Sequence, residues 1–277
     1  MNGEVIDRRG LKQEMKELLR NAEVSPKGFV AVYLLLSLVM NMVDSLANSG
    51  TMVSYGNPLG IFVRILTSLL GAVLAVGFIL YCMAVRRSQR AEYLTLFDGF
   101  SFAGRIIGLA VLQTFFVALW SCLFVIPGIV AGYRYQFAYY NLCENPELGC
   151  MDALDMSKKQ TMGYKGQLFM LDLSYIGWGL LAALPLTVWM GYLSYITTYS
   201  ALSGEMIAAV PSAGVTLLVD LLCSLWAAAV QIFYLPAYQC VQLGYYETAK
   251  RTSGVTPLPP TERLNDGWNG GDQNTSF

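Results

Sequence analysis

The sequence contains no histidine among its 277 residues. This absence excludes histidine-assisted nucleophilic catalysis, imidazole as a general base and metal sites with histidine ligands. The phosphate-binding pattern GxxxxGK followed by Ser or Thr is also missing, and the pair Gly56 and Gly60 encloses only a turn at Asn57-Pro58. The sequence therefore predicts no cofactor site and no metal site, and it contains no arrangement of residues that is typical of an enzyme.

Charged residues are scarce, at 13% of the chain against roughly 25% in ordinary soluble domains. Hydrophobic residues make up 55%, which is more apolar surface than one soluble core of this length needs to bury. Lipid as a second solvent explains this excess. The formal net charge of -1 gives no reason to expect a nucleic acid as a partner. The expected partners are membrane lipids and a membrane protein of unknown identity.

The cysteines form no CxxC pair, and most of them stand inside apolar stretches. This distribution is typical of small reduced side chains that fill space between helices, rather than of disulfides or metal ligands. The six residues are Cys82, Cys122, Cys143, Cys150, Cys223 and Cys240.

Long apolar runs predict an all-α fold, a polytopic bundle of transmembrane helices. A helix rises about 1.5 Å per residue, so about 20 apolar residues cross the roughly 30 Å of hydrocarbon in a bilayer. One run, 106–143, is too long for a single ordinary span and contains Ile126-Pro127-Gly128. Proline and glycine at this point allow either one kinked helix or a tight hairpin of two helices. Four other runs have the length of one span: 28–47, 59–85, 167–190 and 213–243.

Lysine and arginine decide between the kink and the hairpin, because they are enriched in the cytoplasmic segments of membrane proteins. The connections 48–58 and 191–212 contain neither residue. Only a hairpin places both connections outside and every basic segment inside. We therefore predict six spans in a bacterial plasma membrane, with the third at 106–125, the fourth at 127–145 and both termini in the cytoplasm. The basic segments carry Arg8, Arg9, Lys12, Lys16, Arg20, Lys27, Arg86, Arg87, Arg90, Arg105, Lys158, Lys159, Lys165, Lys250 and Arg251.

The transmembrane domain, 28–250, is flanked by two segments of different character. Residues 1–27 are predicted to form a cytoplasmic amphipathic helix, since apolar residues such as Leu11 and Met15 recur at helical spacing between charged ones. Acids nearly balance bases there, so the segment does not resemble a polybasic lipid-binding switch, and its charged part is too long for a cleavable signal peptide. Residues 251–277 are polar and rich in Pro, Gly and Asn, which predicts a disordered cytoplasmic tail.

Three charged residues are predicted at membrane depth, where a charge is costly unless it is paired or solvated. They are Arg134 in the fourth span, Asp172 in the fifth and Asp220 in the sixth. Arg134 and Asp172 indicate either an ion pair between helices or a polar site for a substrate or lipid headgroup. Asp220 is either a buried protonated acid or a residue of an outward-facing cavity. Arg64 stands near the outer end of the second span, where its long side chain can reach the headgroups.

Two further patterns concern packing and surfaces. Gly71, Gly77, Gly177 and Gly179 are interpreted as places where helices approach each other closely. The segment 152–160 alternates acids and bases, which predicts a short cytoplasmic helix with Met151 and Leu154 on one face. That helix either covers the base of the bundle or docks a partner.

Short motifs stand in a fixed order along the chain. They include Leu96-Phe97-Asp98-Gly99-Phe100, Val125-Ile126-Pro127-Gly128-Ile129, Tyr133-Arg134-Tyr135, Asn145-Pro146, Asp172-Leu173-Ser174-Tyr175-Ile176-Gly177-Trp178 and Leu235-Pro236-Ala237-Tyr238. Together these motifs resemble a bacterial integral membrane family called domain of unknown function 975. The resemblance covers nearly everything from Leu11 to Ala249 and implies a multi-span membrane protein of no known activity. The family is also distantly similar to the membrane domain attached to some glycerophosphodiester phosphodiesterases, but no segment of this chain resembles their soluble catalytic domain.

Three functions are compatible with this sequence. The first is a non-enzymatic protein that scaffolds or assists other envelope components, because no reactive constellation is visible. The second is a transporter for a small solute or a lipid, indicated by helices interrupted at Pro127 and Pro236 and by the intramembrane charges. The third is a membrane enzyme that acts on lipids, which would depend on carboxylates such as Asp98, Asp152 and Asp155, and we rank it last.

Overall fold

The computed structural model describes residues 4–20, 24–49, 58–87, 89, 91–203 and 211–257. In this part of the chain every regular element is a helix, as the apolar runs predict. One element, Tyr93–Phe102, is a 3-10 helix and is called the 3-10 segment below. The α-helices are α1 (Arg8–Arg20), α2 (Pro26–Ser49), α3 (Pro58–Arg86), α4 (Ala103–Leu123), α5 (Val125–Tyr135), α6 (Ala138–Glu144), α7 (Cys150–Gln160), α8 (Lys165–Ser203) and α9 (Ala213–Ser253).

Five helical segments of the described chain are long and apolar enough to cross a membrane. This confirms the predicted all-helical, membrane-like architecture. Four of the segments contain the predicted first, second, fifth and sixth spans. The segment that contains the third begins earlier than predicted, because the 3-10 segment joins α4 and packs against α3. The five are Pro26–Ala47, Pro58–Arg86, Tyr93–Leu123, Lys165–Leu202 and Gly214–Ser253.

The predicted fourth span, 127–145, is not among these segments because its helix is interrupted between α5 and α6. A side chain of α7 binds the backbone at the interruption. The Ser157 hydroxyl donates a hydrogen bond to the carbonyl of Arg134 at 2.9 Å and accepts one from the N–H of Phe137 at 3.1 Å. These two bonds take the place of hydrogen bonds within a helix, so the Arg134 carbonyl and the Phe137 N–H both have a partner at the interruption.

The chain reverses direction between α4 and α5. Phe124 is extended there, with φ -158° and ψ 148°. Pro127 stands in the first turn of α5, where its missing N–H would have no helical partner in any case. Gly128 faces α4 so closely that a Cβ at this position would overlap Ser121. Pro127 and Gly128 therefore form a tight hairpin, one of the two predicted alternatives, rather than a kink.

The two arms of this hairpin end side by side. The guanidinium of Arg105, at the beginning of α4, donates to the carbonyl of Pro146, which follows α6. The Cys150 thiol donates to the carbonyl of Arg105 at 3.5 Å. Residues 105 and 146 consequently lie at the same end of the bundle, although each arm contains about 30 Å of helix.

α8 is longer than the predicted fifth span. It has 39 residues, which corresponds to a length of about 58 Å, and Pro185 does not interrupt it. The prediction of a connection at 191–212 is therefore wrong for residues 191–203, which are helical. The absence of Lys and Arg from a segment indicates on which side of the membrane it lies, but it does not show that a helix ends there. Residues 204–210 of that connection lie outside the described residues.

α9 also extends beyond its predicted end at Leu243. It ends at Ser253, and Gly254 then adopts a positive φ of 66° while its N–H donates to the carbonyl of Lys250. Glycine accepts this conformation without strain, which makes it a common residue after the end of a helix. Residues 251–253 are thus helical and not part of a disordered tail, while 258–277 lie outside the described residues.

The buried core is concentrated at one end of the bundle, called the basic end below because most basic residues lie there. α1, α6, α7 and the C-terminal parts of α3 and α9 form it. Arg86 of α3 pairs with Glu14 of α1 at 2.9 Å and with Glu247 of α9 at 2.8 Å. The largest fully buried side chains include Tyr81, Tyr164, Tyr245, Tyr246, Phe29 and Phe137.

Two glycines allow helices to approach each other closely at the basic end. A Cβ at Gly77 of α3 would overlap the backbone carbonyl of Leu96 in the 3-10 segment. Gly244 of α9 receives Leu11 of α1, whose side chain would stand 2.8 Å from an added Cβ. Gly77 thus confirms a predicted close approach. Gly177 and Gly179 do not, since no atom lies within 4 Å of the positions that their Cβ atoms would take. At Gly71 the nearest atom lies at an ordinary van der Waals distance of 3.9 Å.

Candidate functional site

Asp172 of α8 joins three helices through tyrosine hydroxyls. Tyr133 of α5 and Tyr238 of α9 each donate a hydrogen bond to its carboxylate at 2.7 Å. The network continues on α9, where the Gln242 amide donates to the Tyr238 hydroxyl at 2.6 Å and accepts from Tyr140 of α6 at 3.3 Å. These hydrogen bonds hold the Asp172 carboxylate in one position between α5, α8 and α9.

Arg134 does not pair with Asp172. In the described part of the chain no ion pair joins the two residues, so the predicted pair is wrong there. Successive residues of a helix point about 100° apart, so Tyr133 can face α8 only while Arg134 faces elsewhere. The Arg134 guanidinium lies 5.9 Å from the centre of the Tyr135 ring. Arg134 contributes its backbone carbonyl to the contact with α7.

Asp220 lies near the other end of the bundle, between α9 and α2. The Ser45 hydroxyl donates to its Oδ2 at 3.0 Å. Its Oδ1 is buried and has no hydrogen-bond partner among the described residues. Beside Ser45, the Asp44 carboxylate lies 3.6 Å from the Arg64 guanidinium of α3. These four residues are called the Asp220 cluster below.

Sequence reasoning missed half of the Asp220 cluster. It singled out Asp220 and Arg64 but not Asp44 or Ser45, although Asp44 stands inside the predicted first span, 28–47. The Asp44 carboxylate within this apolar run was the signal by which the sequence could have revealed the site. The Arg64 side chain pairs with Asp44 and is still 68% exposed. It can therefore contact lipid headgroups as well as the Asp44 carboxylate.

Two cavities lie along α2, and Asp44 and Arg64 of the Asp220 cluster line the smaller one, whereas Asp220 and Ser45 line neither. One of about 440 Å³ lies between α2, α8 and α9, and one of about 340 Å³ lies between α2 and α3. Ser37 and Asn41 line both cavities, so polar side chains follow one face of α2 toward Ser45. Small residues leave this space open on the facing helices, where the lining includes Gly179, Ala182, Ala183, Ala227 and Ala228.

A second polar network lies at the basic end, and its Asn141 and Gln160 side chains are fully buried. Asn141 of α6 and Gln160 of α7 exchange two hydrogen bonds of 2.9 Å. Next to them the Glu144 carboxylate contacts Lys250 at 2.5 Å and Arg87 at 3.1 Å, and accepts a hydrogen bond from Tyr246 at 3.0 Å. Buried polar groups with all partners present fix the helices in one arrangement.

α1 is attached to α8 through a motif residue. The Lys12 ammonium donates to the Ser174 hydroxyl at 2.9 Å and lies 4.3 Å from the centre of the Tyr175 ring. Partial burial, and the nearby charge of Arg8, lower the pKa of Lys12 from its ordinary value. Ser174 thus has a structural partner, namely the amphipathic helix that precedes the first span.

Two further motif residues lie where α8 faces α9. The Trp178 ring stacks on Tyr234, with 6.2 Å between the ring centres. Pro236 lies inside α9 and does not interrupt it, so the predicted discontinuity there is wrong. A helix can continue through proline where neighbouring helices support it. Of the two predicted discontinuities, only the one near Pro127 exists.

The described residues contain no group of three or more Asp, Glu, Cys or His side chains that could hold a metal ion. Asp98 lies on the 3-10 segment, while Asp152 and Asp155 lie on α7, and all three are exposed. The geometry of the Asp172 contacts and of the Asp220 cluster supports ligand binding and helix packing.

Comparison with known proteins gives a family and no activity. The family described as Protein of unknown function (DUF975) matches residues 123–251. No curated protein and no solved structure matches the chain. The matched region begins at the hairpin turn, includes Asp172 and Asp220, and ends in the last turn of α9. The distant similarity to the membrane domain of glycerophosphodiester phosphodiesterases stays a prediction. Over residues 123–251 the chain therefore matches the DUF975 family, which is described as being of unknown function.

Proposed function

We propose that this chain is a six-crossing protein of the bacterial plasma membrane with both termini in the cytoplasm. Contacts between distant segments at the basic end support this topology. Glu4 pairs with Arg251 at 3.3 Å, and Glu144, after the hairpin, pairs with Arg87, before it, at 3.1 Å. An even number of crossings must separate segments that share one side of a membrane. The hairpin of α4 with α5 and α6 provides the extra pass that five long helices lack.

Cysteine labelling tests this topology. Asp155→Cys, in a chain whose native cysteines are replaced by serine, is expected to resist a membrane-impermeant maleimide in intact cells and to react after permeabilisation. Position 155 is exposed on α7, so the membrane alone limits its reaction. Ser54→Cys, in the predicted external connection, is the positive control and should react in intact cells. Reaction of position 155 from outside would contradict both the six crossings and the cytoplasmic basic end.

We propose further that the protein is a non-enzymatic scaffold or accessory protein of the cell envelope. The observation that carries this proposal is the free face of α7. This helix buries Ala153, Leu154, Ser157 and Gln160 against the bundle. Its opposite side leaves Met151, Asp152, Asp155 and Lys159 exposed. A short helix that is held by a buried polar network and has a mixed apolar and charged outer face suits protein contact.

Photo-crosslinking tests the scaffold role. A photoreactive amino acid at position 155 is expected to yield a discrete adduct with one membrane or envelope protein in native membranes. The matched control is position 17 on the exposed side of α1, also at the basic end, which should yield no such adduct. Equal, diffuse products from both positions would contradict a specific partner on α7.

A second candidate function is transport of a small solute or lipid, and the Asp220 cluster is the observation in its favour. Asp44 and Arg64 of this cluster line a cavity of about 340 Å³ between α2 and α3, which could hold a ligand within the membrane. The helix break near Pro127 supports it less, because it is the turn of a hairpin between two packed helices. At the second break, between α5 and α6, Ser157 of α7 binds the backbone groups. Enzymatic action on lipids ranks last, since the exposed carboxylates Asp98, Asp152 and Asp155 belong to two separate elements.

A further inference from the structure

Arg64 of α3 places a charge inside an apolar belt. Between Arg64 and the beginning of α3 at Pro58 stand Leu59, Ile61 and Phe62, whose side chains are all exposed. The apolar surface of the helix therefore continues past Arg64 toward that end, and so does the hydrocarbon around it. A guanidinium at this depth is costly unless it is bound or solvated.

The protein itself binds this guanidinium only loosely. Its nearest contact with a carboxylate is made by Nε, which lies 3.6 Å from Asp44, beyond a normal hydrogen bond. The guanidinium donates no hydrogen bond to any described residue. It has five N–H donors, and the Arg64 side chain is 68% exposed. Arg64 can therefore bind an oxyanion while it keeps its contact with Asp44.

A groove begins at Arg64 and runs between α3 and α4. Its volume is about 630 Å³, within the range of roughly 300–1,000 Å³ for small-molecule sites. Arg64 lies at one end of the α3 wall and Ala72 at the other, about 12 Å further along the helix. Most of the lining is apolar and includes Leu69 on α3 and Val111 and Phe115 on α4. The groove thus has a cationic end and an apolar body.

We propose that this groove binds a phospholipid, with the phosphate on Arg64 and one acyl chain along α3 and α4. A guanidinium binds phosphate through two parallel hydrogen bonds. The Ser68 hydroxyl lies one turn from Arg64 on the same face and lines the same groove. The groove is open to the surrounding lipid, since Ile65, Val111 and Phe115 are each more than half exposed.

The apolar walls identify a lipid as the source of the phosphate, because a free anion would leave them without a contact. The combination of a cation and an apolar groove in one cavity matches the two parts of an amphiphile. The site does not depend on the scaffold role, since no residue of α7 is part of the lining.

Thermal unfolding of the purified full-length protein in a non-ionic detergent tests this site. Dioctanoyl phosphatidylglycerol is expected to raise the unfolding midpoint in a concentration-dependent manner, because a ligand that binds the folded state stabilises it. Two partial probes, glycerol 3-phosphate and dioctanoylglycerol, should each bind at least about tenfold more weakly, because each makes only one of the two contacts.

A substitution of Arg64 tests the phosphate contact. Arg64→Gln should weaken the apparent affinity for the lipid by about tenfold or more, as expected for lost charge-assisted hydrogen bonds. Lys16→Gln removes an exposed charge from α1 and is the matched control for general attraction of an anionic lipid. It should leave the affinity unchanged.

A substitution of Ala110 tests the acyl-chain contact. In Ala110→Leu the larger side chain would occupy the α4 side of the groove, and the affinity for the lipid should fall by about tenfold, as expected when about two methylene groups lose their contact. Ala118→Leu, at an exposed position of the same helix outside the groove, is the control and should bind the lipid normally. This pair decides the proposal if Arg64→Gln does not fold.

Three results would overturn the proposal. The first is that dioctanoyl phosphatidylglycerol does not shift the midpoint of the natural sequence. The second is that either partial probe stabilises the protein as well as the complete lipid does, since one of the two contacts would then be absent. The third is that Arg64→Gln or Ala110→Leu binds the lipid as tightly as its control does, which would mean general adsorption of an amphiphile to the helix surface.

Discussion

Replacing Gly77 with alanine is expected to destabilise the protein by about 3 kcal/mol, at the upper end of the range for an overpacked core. The added methyl group would overlap the backbone carbonyl of Leu96, which cannot rotate away as a flexible side chain could. In a domain of this size 1 kcal/mol changes the melting temperature by roughly 2–4 °C. The unfolding midpoint in detergent should therefore fall by roughly 6–12 °C.

Gly71→Ala on the same helix is the matched control. The nearest atom to its added Cβ is the terminal methyl carbon of Met40 at 3.9 Å, an ordinary van der Waals distance. Alanine favours a helix over glycine by roughly 0.5–1 kcal/mol, so this variant should be as stable as the natural sequence or slightly more stable. If Gly77→Ala behaved like Gly71→Ala, the 3-10 segment would not lie against α3 as closely as described.

The helices could be predicted from the sequence because their apolar runs have the length of a bilayer. α2 and α3 begin and end within about two residues of the predicted spans. The hairpin could also be predicted, since the charge rule excluded a single kinked helix and Pro127 with Gly128 supplied a turn. The long C-terminal parts of α8 and α9 could not be predicted, because the length of one span was assigned to each apolar run and hydropathy does not show how far a helix continues beyond that length.

The partners of the buried charges could not be predicted, because they depend on the rotation of each helix. Tyr133 and Arg134 are neighbours in sequence, and only the rotation of α5 decides which of them faces Asp172. A search for opposite charges favoured Arg134. The structure instead uses tyrosine hydroxyls, which the sequence contains in large number and which therefore carry little signal.

The interruption of the fourth span depends on a residue 20 positions later in the chain. Ser157 binds the backbone on both sides of the gap between α5 and α6. A local pattern cannot reveal such a partner, since the stretch around Arg134 is apolar enough to continue as a helix. The 3-10 segment escaped prediction for a similar reason, because its fold follows from close packing on Gly77 of α3.

Replacing Glu144 with alanine is expected to cost about 2–3 kcal/mol of stability. Its carboxylate side chain is only 11% exposed and contacts Lys250 at 2.5 Å and Arg87 at 3.1 Å. Breaking a buried ion pair costs roughly 3–5 kcal/mol, but the 52% exposure of the Arg87 side chain lowers this value, because water screens its charge. Thermal unfolding in detergent measures the loss.

Two further variants separate the charge of Glu144 from its hydrogen bond. Glu144→Gln keeps an acceptor for the Tyr246 hydroxyl and should lose less stability than Glu144→Ala. Glu147→Ala removes a neighbouring exposed carboxylate and should change stability by less than about 0.5 kcal/mol.

Because α6 and α7 share the buried Asn141 to Gln160 contact beside Glu144, Glu144→Ala should also reduce crosslinking from position 155. A stable Glu144→Ala protein with unchanged crosslinking would mean that this charge does not hold the face of α7 in place.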